Sequence, residues 1–351
     1  MTLTTTLDTP LLADPAQVAA DPGRYRVLTG DRPTGPLHLG HYFGTLLNRV
    51  RLQRQGVETF LVVADYQVIT DRLSPGEIAD NVREVVLDNL AAGIDPELTT
   101  VFAHSAVPAL NQLMLPFLSL TTVAELQRNP TVKDEAAASG LAAISGLLLT
   151  YPVHQAADIL FCHGSLVPVG DDQLPHVEQT RLIARRFNER YAGGRPVFRE
   201  PQALLSPSPR LLGIDGRKMS KSRGNAIALK ASADETARLI RRSVTDSERA
   251  VTYEPDRRPG VSSLVEIAAL CLDLAPAVVA ERVGPGGSAA LKALVTEAVN
   301  EELRPVRARR AELAAEPGLV GRLLADGAER ASALASSTLA DVQEVLGMTA
   351  Y

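Results

Sequence analysis

Short apolar runs alternate with longer stretches of helical periodicity over the first two thirds of the chain. Four runs are apolar enough to predict buried parallel strands, at residues 25–28, 59–64, 99–104 and 166–169. Between them, apolar positions with helical spacing predict helices at residues 42–53, 74–93, 110–128, 136–149 and 179–191. Strands that alternate with helices indicate an α/β fold built on a parallel sheet.

The pattern changes near both ends of the chain. Residues 1–24 are rich in Thr, Asp, Ala and Pro and keep no stable period, so we expect a loose or lightly docked extension. After about Ala231 the spacing is helical throughout, with no further strand run. One helix start is clear from side-chain chemistry, because Ser74 can cap it, Pro75 suits the first turn and Glu77 follows three residues after Ser74.

Composition narrows the class of protein. The chain has 351 residues, of which 45% are apolar and 22% charged, which is typical of a globular protein with a large core. No apolar run approaches the roughly 20 residues that a membrane span requires, and no export signal is present, so we expect a cytoplasmic protein without membrane contact. Cys162 and Cys271 form no CxxC pair and are expected to be buried thiols rather than zinc ligands or a disulfide.

The net charge of −5 does not favour a nucleic acid partner, but local basic surface matters more than the sum. The late helical region contains three clusters of arginines. They are Arg238, Arg241 and Arg242, then Arg257 and Arg258, then Arg304, Arg307, Arg309 and Arg310. Each cluster can be a basic surface that contacts nucleic acid phosphates. It is equally well explained as a solvated helix face with neighbouring Glu, and both interpretations stay open.

The first candidate site is the segment Thr29 to Gly44, which lies between a predicted strand and a predicted helix. Such a turn directs backbone N–H groups and the helix dipole towards an anion. We call residues 38–41 (HLGH) the histidine motif. Gly40 leaves room for a phosphate to approach the main chain, and His38 and His41 can donate to phosphate oxygens.

The second candidate site is the segment Lys218 to Ser222 (KMSKS), which we call the lysine motif. The chain has only five lysines, at positions 133, 218, 221, 230 and 292, so two in one pentapeptide are notable. Gly216 and Gly224 flank the motif and give the loop freedom to close.

The two motifs, in this order, resemble those of class I aminoacyl-tRNA synthetases. Further segments narrow the resemblance to tryptophanyl-tRNA synthetases of a divergent bacterial branch, and it extends from about Tyr25 to the C-terminus. These segments are residues 93–96 (GIDP), 151–160 (YPVHQAADIL), 167–173 (VPVGDDQ), 176–188 and 244–248 (VTDSE).

The resemblance implies a Rossmann-like parallel sheet with a C-terminal helical domain. The expected parts are an extension over residues 1–24, a catalytic domain over 25–215, a loop over 216–230 that carries the lysine motif, and a helical domain over 231–351. The helical domain is expected to read the anticodon, and its last helices are free to pack on the catalytic domain. It also implies a homodimer with contacts in residues 110–149.

The implied reaction is the activation of L-tryptophan by ATP, with Mg²⁺ travelling on the nucleotide, followed by transfer to tRNA(Trp). The expected catalytic residues are His38, His41, Lys218 and Lys221. No protein-bound metal is expected. The expected ATP-binding residues are Arg32, Pro33, Thr34, Gly40, His41, Gly170, Asp171, Asp172, Gln173, Leu211, Lys218, Met219, Ser220, Lys221 and Ser222. For Asp172, a plain helix cap is the alternative.

Asp158 lies in an apolar stretch, where an unpaired carboxylate is costly. The resemblance implies that it accepts the indole N–H, and the alternative is a pair with an Arg. Gln67 and Gln155 stand where relatives commonly carry a histidine and an apolar residue, and we expect them to bond each other or to face the substrate ring. The expected tryptophan-binding residues are Leu28, Gln67, Tyr151, Gln155, Asp158, Val167 and Val169.

Other polar residues suggest no further site in the sequence. His104 and Ser105 have no acid in a triad-like arrangement, and no His, Cys or Asp cluster shows metal-ligand spacing. Two alternatives stay open: a tyrosine–tRNA ligase, and a synthetase-like protein that activates an amino acid without charging tRNA. A smaller HxGH nucleotidyltransferase is a third candidate, which the sequence disfavours. Leu28 weighs against the first, because tyrosyl enzymes place a Tyr there. The lysine motif and the long helical region weigh against the other two.

Overall fold

Five parallel strands form one sheet in the order β3-β2-β1-β4-β5 in the computed structural model, which describes residues 10–70, 74, 76–139, 143–206 and 211–348. The strands are β1 (Arg26–Asp31), β2 (Glu58–Val63), β3 (Thr99–Ala103), β4 (Leu166–Val169) and β5 (Gln202–Leu205). The predicted α/β class and parallel sheet are confirmed.

Two features of the sheet differ from the prediction. β1 was expected to end at Leu28, but it continues to Asp31 because residues 29–31 pair in parallel with β2. β5 was missed altogether. It contributes only four residues between Pro201 and Ser206, and its pairing with β4 rather than its sequence pattern makes it a strand.

The described residues also form fourteen α-helices. They are α1 (Pro15–Ala20), α2 (Leu39–His41), α3 (Leu47–Arg54), α4 (Ile78–Ala92), α5 (Pro108–Leu118), α6 (Val123–Arg128), α7 (Pro130–Ser139), α8 (Gly146–Leu160), α9 (Leu174–Arg190), α10 (Ala233–Arg242), α11 (Pro259–Leu272), α12 (Pro276–Val283), α13 (Gly287–Ala315) and α14 (Leu319–Val345). Short 3-10 turns lie between several of them, and a π-helix, Tyr42–Leu46, joins α2 to α3.

Several helix boundaries were predicted wrongly. The single helix expected over 110–128 is split into α5 and α6, because Thr122 and Glu125 form a capping box that starts a new helix. The single helix expected over 136–149 is also replaced by two helices, α7 and α8, and residues 140–142 between them are outside the described residues. α4 begins at Ile78 after Glu77, so Ser74 does not cap it, and Pro75 lies outside the described residues.

The last helix returns to the sheet. Ala331 and Ala335 of α14 are buried in the same apolar cluster as Phe102 of β3. The hydroxyl of Thr338 donates to the carbonyl of Phe161 at 2.7 Å, which attaches α14 to the end of α8. Among the described helices, no single one has the length and apolar composition to cross a membrane, although α11 taken together with Pro276–Ala315 passes that test as a pair bent by 109°.

Gly327 determines how closely α14 approaches the sheet. A Cβ atom built there would lie 1.8 Å from the carbonyl oxygen of Val101 in β3, whereas one at Gly321 in the same helix would meet nothing within 4 Å. The helix and the strand therefore touch through their backbones, and only glycine permits this contact.

We expect Gly327→Ala to lower the free energy of unfolding by about 1–3 kcal/mol, because the helix must move away from β3. Gly321→Ala is the matched control and should be neutral or stabilising by up to about 1 kcal/mol, since alanine favours the helix. Urea unfolding of both variants measures the difference. Equal stabilities would contradict the close contact.

Candidate active site

The site forms where the strand order reverses. β1 is flanked by β2 on one side and by β4 on the other, so the segments that leave β1 and β4 diverge above the carboxyl edge of the sheet. In open parallel sheets this crevice is where ligands bind. The histidine motif follows β1, and residues 170–173 follow β4.

The two motif histidines are held by their own backbone. Nδ1 of His38 accepts the N–H of Gly40 at 3.1 Å, and Nδ1 of His41 accepts the N–H of His38 at 3.3 Å. A neutral ring whose Nδ1 accepts must carry its proton on Nε2. Both rings therefore offer an Nε2–H donor, and they lie with their centroids 3.8 Å apart.

Both rings are kept neutral. Burial lowers the pKa of His38 to about 2, and the positive charge expected on Lys221 adds to the effect. Burial likewise lowers the pKa of His41 to about 4, although the carboxylate of Asp31 opposes it. Around neutral pH the histidine motif therefore donates hydrogen bonds without carrying charge.

A buried ion pair supports the end of β1. Arg49 of α3 contacts Asp31 at 2.6 Å and also donates to the hydroxyl of Thr29 at 2.8 Å. Burial opposes the ionisation of Asp31, but Arg49 outweighs it and holds the pKa at about 2. Sequence analysis missed this pair. Its only signal was a charged residue on the apolar face of the helix that follows the histidine motif.

The lysine motif closes the crevice from above. Nζ of Lys221 donates to the carbonyl of Gly35 at 2.7 Å, after β1, and Nζ of Lys218 lies 3.4 Å from Asp172 Oδ2, after β4. The predicted motifs, 180 residues apart in sequence, are thus brought together.

Asn225 shapes the loop that carries the lysines. Its buried amide accepts the N–H of Ser220 at 2.8 Å and donates to Asp215 and to the carbonyl of Lys218. Sequence analysis did not single it out. Met219, in turn, is buried and packs close to Gly40, so the loop is anchored on the histidine motif.

The remaining predicted nucleotide residues lie around this crevice, with one exception. Asp171–Gln173 forms a 3-10 turn after Gly170, and Gln173 occupies the N-cap position of α9, so Asp172 precedes the cap. Pro33 and Leu211 are buried and Thr34 is half-buried. The Ser222 side chain lies outside the description. The exception is Arg32, whose guanidinium turns to Thr70 at 3.2 Å and Glu135 at 3.8 Å.

The residues predicted to bind tryptophan lie on β1, on β4 and on α8, except for Gln67, which follows β2. Leu28, Val167 and Val169 are buried in one apolar cluster. The hydroxyl of Tyr151 lies 3.2 Å from His176 Nε2, and burial, with Glu135 adding to it, raises the pKa of this tyrosine. Gln155 is half-buried.

Two of the alternatives considered for these residues, and one expectation about His104, are contradicted by the structure. Asp158 pairs with a histidine rather than an Arg, because Nε2 of His104 lies 2.5 Å from its Oδ1. His104 therefore does have an acid partner, and Ser105 contacts Asp65. Gln67 is bonded to His104 and His154, not to Gln155.

A His–His–Asp cluster also exists in space although the sequence shows no metal-like spacing. Ligand atoms of His104, His154 and Asp158 lie within 4.8 Å of one another. His104 follows β3, whereas His154 and Asp158 are one turn apart on α8. The i, i+4 spacing of His154 and Asp158 was the one signal available, and only the fold adds the third residue.

The arginine clusters divide into structural and exposed members. Arg258 is buried against Asp246 at 2.7 Å. Arg310 of α13 donates to Asp88 Oδ1 at 2.7 Å, and Asp88 Oδ2 accepts the N–H of Leu37 at 2.7 Å. These arginines hold the fold rather than a partner. The exposed members are Arg238, Arg241, Arg242, Arg257, Arg304 and Arg309.

The buried histidines predict how stability depends on pH. Burial lowers the pKa of His38 and His41, and that of His176 to about 4, from an ordinary value of 6.5. The unfolded chain binds protons on these rings below pH 6.5, whereas the folded chain binds them only below the lowered pKa values. Stability is therefore lost as the pH falls from 6.5, by up to about 1.4 kcal/mol per pH unit for each ring.

The measurement is urea unfolding, together with the number of protons that the protein takes up on unfolding at about pH 5. His176→Gln removes one titrating ring while an amide can still reach Tyr151, so uptake should fall by about one proton. Carboxylates such as Asp31, with its pKa of about 2, contribute only at lower pH. A stability that stays constant between pH 6.5 and about 5 would contradict the buried neutral rings.

Comparison with known proteins agrees with this geometry. The profile of the family "tRNA synthetases class I (W and Y)" matches residues 21–304. Tryptophan–tRNA ligase from Treponema pallidum is 42% identical over 332 residues, covering 93% of this chain and 97% of that protein. The same enzyme from Clostridium longisporum is 40% identical over 331 residues, covering 92% and 96%.

A solved structure shows the same fold. Tryptophanyl-tRNA synthetase from Campylobacter jejuni, complexed with ADP and tryptophan, superposes with a TM-score of 0.77 at 31% identity, covering 92% of this chain and 99% of that one. The crevice above the carboxyl edge of the sheet, the two motifs and these relatives all indicate the same family. The chain belongs to the tryptophan–tRNA ligases, within the class I tRNA synthetases for tryptophan and tyrosine.

Proposed function

We propose that this chain activates L-tryptophan with ATP and then transfers it to the terminal ribose of tRNA(Trp). The observation that carries the proposal is the position of the lysine motif. Lys221 reaches the segment after β1 and Lys218 reaches the segment after β4, so two ammonium groups lie over the crevice that the histidine motif borders. This arrangement suits a triphosphate whose outer end leaves during the reaction.

In the activation step the carboxylate of tryptophan attacks the α-phosphorus of ATP, and the bond to the bridging oxygen of pyrophosphate breaks. Such a transfer needs positioning and neutralisation of charge more than covalent help. His38 and His41 donate from Nε2 to phosphate or ribose oxygens. Lys218 and Lys221 exchange their present partners for the leaving pyrophosphate. Mg²⁺ enters with the nucleotide as part of the substrate.

The nucleotide is proposed to bind along both sides of the crevice. Its phosphates lie over Gly40, and Gly170 to Gln173 hold its ribose or adenine, with Asp172 accepting hydroxyl groups. Arg32 is the weakest member of the proposed ATP set, because its guanidinium already contacts Thr70 and Glu135.

The amino acid is proposed to lie beyond the nucleotide, with its ring among Leu28, Val167 and Val169. Asp158 accepts the indole N–H, a charge-assisted hydrogen bond worth about 1.5–3 kcal/mol. Tyr151 and Gln155 border the same pocket. Leu28 offers no partner for a phenol hydroxyl, which favours tryptophan over tyrosine.

Transfer to tRNA requires basic surface on an acidic protein. Arg238, Arg241 and Arg242 of α10 and Arg304 and Arg309 of α13 are exposed and can meet phosphates. We propose that the helical region over residues 231–351 reads the anticodon with this surface. We also propose that the enzyme acts in the cytoplasm as a homodimer that contacts through residues 110–149.

The function is tested by exchange of labelled pyrophosphate into ATP with each standard amino acid in turn. Tryptophan should support exchange, and tyrosine should support it poorly. A second assay measures charging of tRNA(Trp). Faster exchange with tyrosine would establish a tyrosine–tRNA ligase instead, and exchange without charging would establish a protein that only activates its amino acid.

The role of the lysine motif is tested by Lys221→Ala. Removing a contact that strengthens as charge builds on pyrophosphate should slow exchange roughly a hundredfold, or by about 3 kcal/mol, with little change in ATP affinity. Lys292→Ala, on α13 and bonded to the carbonyl of Arg241, is the matched control and should keep the full rate. An undiminished rate in Lys221→Ala would remove the lysine from the mechanism.

A further inference from the structure

A buried chain of three hydrogen bonds and one close contact leads to Asp158. It runs from Asn111 on α5 through His154 on α8, Gln67 after β2 and His104 after β3, and ends at the Asp158 carboxylate on α8. The successive contacts measure 2.7, 3.0, 3.1 and 2.5 Å. All members except Asn111 are buried, with His104 fully enclosed.

The direction of each bond follows from Asn111. Its amide nitrogen donates to the carbonyls of His104 and Val107, so its oxygen must accept from His154 Nε2. Burial lowers the pKa of His154, so the ring is neutral and its Nδ1 accepts from the Gln67 amide. The Gln67 oxygen then accepts from His104 Nδ1, which therefore carries a hydrogen.

The last contact needs a proton of its own. His104 Nε2 and Asp158 Oδ1 lie 2.5 Å apart, and neither atom has another partner within the described residues. Two lone pairs at that distance would repel, so one proton lies between them, although the atoms are not aligned as a linear hydrogen bond. Oδ1 is thus occupied and enclosed. Oδ2 accepts no hydrogen bond from the described part of the chain, and it is not one of the enclosed side-chain atoms that lack a partner.

The cluster of His104, His154 and Asp158 does not suit a metal ion. The rings of His104 and His154 are stacked, with centroids 4.1 Å apart and planes 16° from parallel. The lone pairs of a ring lie in its plane, so those of stacked rings do not converge on one ion. Both nitrogens of His154 also have partners already.

We infer that His104 is a positioning residue that holds Asp158 through Oδ1 and leaves Oδ2 for the ring N–H of tryptophan. The inference deepens the proposed function and rests on Asp158 as the indole acceptor. Gln67 contributes to the positioning of Asp158 through His104. Its amide donates to His154 and accepts from His104, and these two bonds determine which nitrogen of each histidine carries a hydrogen. The chain thus sets substrate specificity without His104 touching the substrate.

The test compares L-tryptophan with 3-(3-benzothienyl)-L-alanine, in which sulfur replaces the ring N–H. Pyrophosphate exchange is measured with both substrates in wild type, His104→Leu and His104→Gln. We expect His104→Leu to raise the KM for tryptophan about tenfold with kcat and the KM for ATP nearly unchanged. Its preference for tryptophan over the sulfur analogue should fall by the same factor. His104→Gln keeps a donor towards Asp158 and should recover much of the preference.

Equal losses for both substrates in His104→Leu would overturn the inference, because a purely structural residue would not distinguish them. So would one equivalent of tightly bound metal in the purified wild-type protein that is absent from His104→Leu. If His104→Leu does not fold, Gln67→Leu keeps His104 in place and should show the same shift in preference to a smaller degree. A wild type that fails to use tryptophan contradicts the proposed function instead, and that result appears before any variant is compared.

Discussion

The hydrogen bonds that His38 and His41 make to their own backbone determine much of the site. Each ring gives up its Nδ1 to an N–H group of the turn, and each is thereby left with a proton on Nε2. The same bonds start α2 and hold both rings in the segment that follows β1. When the turn folds, it therefore also fixes the Nε2–H donors of both rings. Gly40 allows this turn, because a Cβ atom there would lie 3.0 Å from the His38 ring.

Much of the site could be predicted from local sequence. The strand, turn and helix around the histidine motif and the lysine motif are local patterns, and each is recognisable without knowing its neighbours. Parallel strands bring their carboxyl ends to one edge, so the meeting of residues after β1 with residues after β4 also follows from the pattern. The structure adds distances to these expectations.

The errors share a physical cause, which is that the missing information is non-local. The alternative partner considered for Asp158 was an arginine, but the residue beside it is His104, which lies there only because α8 packs near the end of β3. Gln67 appeared to have Gln155 as its natural partner, yet two histidines enclose it. β5 is a strand through its pairing with β4 rather than through its composition. Nothing in the local sequence indicates these contacts.

Asp88 has a consequence for motion in the molecule. One of its oxygens accepts from the backbone of Leu37, next to the histidine motif, and the other accepts from Arg310 on α13. The carboxylate is fully buried, so a shift of α13 that broke its bond would leave an oxygen without water or partner. We therefore expect the turn that carries the histidine motif and helix α13 to move together, because both are bonded to the same carboxylate.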